Sequence, residues 1–433
     1  MCPSHAFAIV EPPVTVDGPS ADVREVGGAA LASDGTGGIA YIKLDQGAPH
    51  VFVSRRLHGS WSSPIRVDAL PYEARQVAVA ASDHGRLLVV WVSQIATVAG
   101  KIRYALYSAE LSAGASNFGP ALVVDPNVTN GNDVNPSLAG ANAGRAIVTY
   151  RVTTYNFQDF IPTDTRVQLR PNDVLADIRV ARYQGTRWSR LGAINRNPDA
   201  SVPAPDVDNG PRVGIADDSS AVVAWQERDQ TGVARIWAKR VFGTSLGPTL
   251  PATPTTLDGA PFGDDADALA LAVTPLGMAE VVARYPGLEG TTRVLSNQLP
   301  VSLDEHAGSF SGAVAVDGGP VAGTVGAPAV AVADSGQDGS SMAAFAAGGA
   351  MRTKPLGAAG PLGDPPPAPA PIAGADVALA RSAAGSTLAA WETTGLDGFP
   401  AVAVRQEQAA GGVQTGIVAG AVAGDVSQLS VAG

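Results

Sequence analysis

The sequence predicts an all-β chain folded as a seven-bladed β-propeller of four-stranded antiparallel blades. Three observations carry this. A hairpin of two apolar strands around a polar turn recurs seven times. Its second strand ends in an aromatic in six of the seven copies. The chain has almost no helical periodicity, and its 50 glycines and 33 prolines supply turns throughout.

The best-preserved copy is 211–247, PRVGIADDSSAVVAWQERDQTGVARIWAKRVFGTSLG. Val213 and Ile215 lie in a short apolar run. Asp217, Asp218, Ser219 and Ser220 follow, and their side chains favour a tight turn by bonding back to nearby amides. Residues 221–225 are apolar at every position, the mark of a strand covered on both faces. After a second polar turn, 234–241 alternates, with cations on one side, as a strand nearer solvent does. A weaker fourth strand closes the unit. The predicted burial gradient has the first two strands buried and the last two progressively wetter, as in a propeller blade.

The other copies of the hairpin begin at Gly27, Gln76, Pro136, Ala268, Pro328 and Asp376. The terminal aromatics are Tyr41, Trp91, Tyr150, Trp225, Phe345 and Trp391, and the fifth copy has Ala283 there. Their spacing runs from 46 residues (Phe345 to Trp391) to 75 (Tyr150 to Trp225), which matches propeller repeats with loop insertions. The predicted repeats span about 20–72, 73–126, 127–200, 201–257, 258–318, 319–371 and 372–433, in one domain. First strands rich in Ala and Gly suit sheets that converge on an axis. Residues 7–16 and 412–423 each resemble a fourth strand, so the termini are expected to complete a shared blade. The alternative is an eight-bladed propeller, truncated, because 426–433 resembles the start of another first strand.

The net charge of −11 disfavours a phosphate backbone as partner, and no apolar run is long enough to span a bilayer. Cys2 is the only cysteine, so neither a disulfide framework nor a cysteine metal cluster is available. The five histidines are scattered and form no metal-binding pair. Residues 243–247 match G-x-S-x-G, but a helix does not follow, so the nucleophile elbow is not expected.

The largest departure from the repeat is the insertion 153–176, TTYNFQDFIPTDTRVQLRPNDVLA, between the second and third strands of the third unit. Loops on a rigid scaffold are where binding residues sit. The candidate ligand-binding residues are Tyr155, Phe157, Asp159, Phe160 and Arg166 of this insertion, with Glu227 and Arg228 at the end of the fourth unit's second strand. Stacking aromatics beside carboxylates and guanidinium groups suit a sugar or a peptide. Acidic residues recur before first strands. Asp133, Asp206, Asp208, Asp265 and Asp267 are candidate oxygen ligands for a structural Ca2+, the only cofactor expected. The competing reading is that such aspartates accept from the amides of their own turns.

The repeats, as in ALASDGTGGIAYI and VAVAASDHGRLLVVW, resemble bacterial β-propellers of the sialidase-like and TolB-like kinds. The resemblance spans nearly the whole chain and implies architecture. Sialidases carry an S-x-D-x-G-x-T-W turn. The corresponding segments here, HGSWSS at Trp61 and QGTRWS at Trp188, lack its aspartate. Fold alone does not transfer function. The expected function is a non-catalytic binding or surface-interaction module, monomeric, extracellular or at the cell surface, with a glycan or protein surface as partner. The alternative is a carbohydrate-active hydrolase or lyase using carboxylates on the propeller face. A third reading is a structural repeat array within a longer surface protein.

Overall fold

Apolar runs form the second strand of each blade, and in the computed structural model they are deeply buried, as in blades 4, 5 and 6. The described residues are 16–17, 22–98, 101–128, 134–156, 174–195, 210–229, 233–257, 260–287, 290–302, 304, 308–332, 341–356, 370–372, 375, 377–381, 386–394, 400–407 and 413–419.

Seven antiparallel sheets form a propeller ring. The blades run 23–66, 74–128, 137–193, 212–251, 268–322, 329–355 and 377–419. Within each, strand order follows chain order. The fourth strand is broken in blades 1, 4 and 5, where two short pieces pair the third strand in turn. Blade 6 shows three strands among the described residues. Blade 7 takes all four of its strands from 377–419, so the expected sharing of a blade between the termini is not seen among the described residues. Most of the amino-terminal segment invoked for it, and 420–423, lie outside them. No helix among the described residues is long and apolar enough to cross a membrane.

The expected burial gradient needs one correction. In blade 4 the second strand, Ala221–Arg228, is almost wholly buried, whereas the first, Arg212–Ile215, is mostly half-buried. A propeller's first strand lines the central channel, so one edge stays open. First strands of successive blades lie side by side, and small residues permit it. A Cβ on Gly27 of blade 1 would lie 2.0 Å from the Val77 carbonyl oxygen of blade 2.

Packing follows strand parity. The terminal aromatics Trp91, Tyr150, Trp225, Phe345 and Trp391 face the preceding blade, each within the apolar cluster of that interface. Cross-strand partners complete them: Trp91 stacks on Tyr107 at 6.0 Å, and Tyr41 on Phe52 at 6.2 Å. In blade 5 the missing aromatic is replaced from two residues further on. Tyr285 shares the face of Ala283 and meets Phe262 edge-on at 5.1 Å.

A second repeated device was not read from the sequence. Where the fourth strand peels away, a third-strand amide loses its ladder partner. A side chain at the end of the fourth strand accepts it instead. Asp68 takes Val51 N at 2.8 Å, Asn195 takes Ile178 N at 3.2 Å, Thr253 takes Ile236 N at 2.7 Å and Asp317 takes Val294 N at 2.7 Å. The signal is an apolar residue followed by Asp, Asn or Thr.

Candidate functional site

Turns between second and third strands and between fourth and first strands share one face, here the upper face. The stem of the blade 3 insertion rises there. Arg145–Asn156 and Val174–Gln184 pair as far as Asn156 with Val174, so Tyr155 is part of the second strand. Phe157, Asp159, Phe160 and Arg166 lie outside the described residues.

Glu227 and Arg228 end the second strand of blade 4 and part company. Glu227 is 4% exposed and accepts from Trp225 Nε1 at 2.9 Å, while its carbonyl accepts from Trp237 Nε1 at 3.3 Å. Its carboxylate therefore orients the indole beneath the face. Arg228 stays accessible and lies 3.6 Å from Asp265.

Of the proposed metal ligands, Asp133, Asp206 and Asp208 lie outside the described residues. Asp265 Oδ1 accepts the Ala234 amide at 2.7 Å. Asp267 takes Arg284 through both carboxylate oxygens at 2.7 and 3.1 Å. Among the described residues no group of three or more His, Cys, Asp or Glu is arranged to hold a metal ion.

The upper lip of the channel is held by a relay of side chains from one blade to the next. Glu25 of blade 1 accepts Gln76 N and Val77 N at 3.2 and 3.1 Å. Burial raises its carboxyl above the usual range, against the pull of those two amides. Gln76 Oε1 in turn accepts Val134 N and Asn135 N, both at 3.1 Å. Ser137 accepts Val213 N at 3.2 Å. Gln76 and Asn135 have φ of 48° and 43°, backbone that their short polar links hold in the left-handed region.

Beside this lip, on blade 2, the fold brings together Arg75 and Tyr104, which the sequence keeps apart. Arg75, at the start of the first strand, lies over the Tyr104 ring at 5.5 Å, and Glu73 lies 3.5 Å from its guanidinium. Tyr72 is 40% exposed in the loop that leads in. Arg103, exposed at the start of the third strand, donates to Asn127 Oδ1. The Tyr107 hydroxyl is raised, first by burial and then by Tyr72 nearby. Tyrosine faces beside guanidinium and amide groups offer stacking with hydrogen bonding at its rim. Sequence reasoning missed this because Arg75 and Tyr104 belong to different strands of the blade and share no motif.

No family model matches the chain, and no curated protein is similar to it. Solved structures similar to it include polysaccharide lyase Uly1, at 10% identity over 96% of this chain and 94% of that one, with a TM-score of 0.43. A protein of unknown function from Dyadobacter fermentans DSM 18053 shares 10% identity over 77% and 94%, with a TM-score of 0.41. The Aleuria aurantia lectin shares 12% over 81% and 97%, with a TM-score of 0.35. Likeness at this level carries no residue role and no activity to this chain.

Proposed function

We propose that the protein is a non-catalytic carbohydrate-binding propeller, whose ligand seats on the upper face over blades 2 and 3. The observation that carries this is Arg75 lying over the Tyr104 ring on the upper face of blade 2, with Tyr72 exposed in the loop that leads into the same blade. An aromatic face covers the apolar side of a sugar ring, and adjoining donors meet its hydroxyls. The stem of the blade 3 insertion, which includes Tyr155, rises on the same face. Three carboxylates there support binding over catalysis: Glu227 holds an indole, Asp265 an amide and Asp267 a guanidinium. Glycoside hydrolysis needs two carboxyl groups directed at one bond. An extracellular or cell-surface site and a monomeric state go with this reading.

A screen of glycans and peptides with the purified chain tests it. Tyr72→Ala and Tyr104→Ala are expected to weaken glycan binding about 2- to 10-fold each, the worth of one stacked ring, with the exposed Tyr72→Ala leaving the melting temperature unchanged. Unchanged binding in both removes the site. Cleaved glycan would move the protein to the hydrolase or lyase class, and peptide binding alone would make its partner a protein surface.

A further inference from the structure

The lower face, at the opposite end of the blades, carries a set of buried arginines that differ in what they meet. Arg55, Arg182 and Arg240 occupy the same place in the third strands of blades 1, 3 and 4, three residues beyond the partner of the terminal aromatic. Each reaches the next blade and gives its Nη atoms to two turn carbonyls. Arg55 meets Ala115 O and His84 O, at 2.7 and 3.4 Å. Arg182 meets Gly243 O and Ser219 O, at 3.3 and 2.5 Å. Arg240 meets Gly277 O, at 2.9 Å, and Pro300 O. In Arg55 and Arg240 only Nε lacks a partner.

Blade 7 breaks this pattern. Arg405 is 7% exposed, yet its Nε and Nη1 have no hydrogen-bond partner. Arg381, the last residue of the first strand, has the same two nitrogens unpartnered. Strand register puts both on one side of the sheet. Thr387 pairs with Arg381 on one edge and Glu407 on the other, and Arg405 lies two residues from Glu407. That side faces blade 6, because Leu379 and Ala389 on it pack with Met342, Ala344 and Met351. Among the described residues Glu407 pairs with Arg405 Nη2, and Thr353 of blade 6 lies 3.5 Å from the same carboxylate. Among the described residues two cations thus share one carboxylate, in a seam that buries Arg405. Burying a cation is costly unless its charge and its donors are both met.

We propose that the seam between blades 6 and 7 is a binding site for a tetrahedral oxyanion, a phosphate or sulfate group, held between Arg381 and Arg405. Such a group neutralises the excess cation and accepts from both planar guanidinium forks, which match its oxygens two at a time. Arg381 is half-buried at the end of the channel-lining strand, so the group enters from the lower mouth of the channel. The site does not rest on the carbohydrate reading, since it lies on the other face and uses none of its residues.

The test is thermal unfolding of the full chain in inorganic phosphate against chloride at matched ionic strength, over low millimolar concentrations where general exclusion effects are small. A saturable rise is expected, about 3 °C at a hundred times Kd. Arg381→Gln and Arg405→Gln should each weaken phosphate at least tenfold by isothermal titration. Glu407→Gln, which removes the competing carboxylate, should tighten it about tenfold. Should Arg405→Gln fail to fold, the half-buried Arg381→Gln decides alone. A rise that does not saturate, or is equal in wild type and the arginine variants, overturns the proposal, as does Glu407→Gln without tighter binding. Glucose 6-phosphate in a parallel arm separates sources: competition with phosphate supports a phosphorylated sugar, and its absence supports the free ion.

Discussion

The 4/5 and 6/7 interfaces each bury a third-strand arginine at the lower end, and they treat it in opposite ways. Arg240 crosses to blade 5 and finds two carbonyl oxygens. Arg405 points back at blade 6, where the neighbouring strands offer alanine and methionine. The difference is one of parity. Alternate residues of a strand point to opposite faces, so a shift of one position sends the same side chain to the other neighbour. At the position facing the next blade, Arg240 lands on turns whose carbonyls point inward. Facing the preceding blade, Arg405 lies on the side that packs against Met342, Ala344 and Met351 of blade 6. The 5/6 interface lies between these extremes. Its buried ionisable group is Glu280, 2% exposed and on the same side as Val282, which packs against blade 6. Burial pushes its carboxyl up to about 7, with Ser296 pulling it down.

Three substitutions sharpen this comparison. The largest loss is expected from Arg240→Met, about 3 kcal/mol by denaturant unfolding, because two turn carbonyls lose their donor while buried. A cost below about 1 kcal/mol would mean that the staple does not hold blades 4 and 5 together. Next is Glu280→Gln, with opposite sign. Its folded-state pKa lies above the unfolded value of 4.5. As pH rises from 4.5 to about 7 the unfolded chain ionises while the folded one keeps its proton, so stability falls. Below that window nothing is lost, and above it the loss is complete. Glu280→Gln should therefore gain at most roughly 3 kcal/mol at pH 8 and almost nothing at pH 4, which a pH series of melts reads directly. Smallest is Arg405→Met in chloride, expected within about 1 kcal/mol of wild type or slightly stabilising, since an apolar side chain suits that seam as well as an under-partnered cation. A loss as large as that of Arg240→Met would erase the distinction between the two interfaces.

Much of the ring was legible in the chain. The run at 221–225 reads as a covered strand because no position in it tolerates water, and it is buried in the fold. The aromatics at its end and at the matching ends of the other copies are all buried. The blade 5 exception was legible only as a gap at Ala283, since nothing local says that Tyr285 and Phe262 will occupy the space. The acidic residues before first strands were read as turn caps or calcium ligands. Asp267 instead meets Arg284, a partner chosen by register. Asp265 does cap an amide, that of Ala234, and a further set of caps, Asp68, Asn195, Thr253 and Asp317, sits at the far end of the fourth strand. Glu227 looked like a strand-end acid facing a ligand, and its bond to Trp225 turns it inward.

The sequence by itself determined the repeat, the alternation of strand and turn, and which strand of each blade lies deepest. These are local properties, written in runs of apolar residues and in turn-forming side chains that act on their neighbours. Only the tertiary structure decided which charged groups meet. It brought Arg75 over Tyr104, gave Arg240 its carbonyls and left Arg381 and Arg405, among the described residues, with a single carboxylate between them. Such pairings depend on strand parity and on which blade stands alongside, and a charge reaches only a few ångströms in search of a partner.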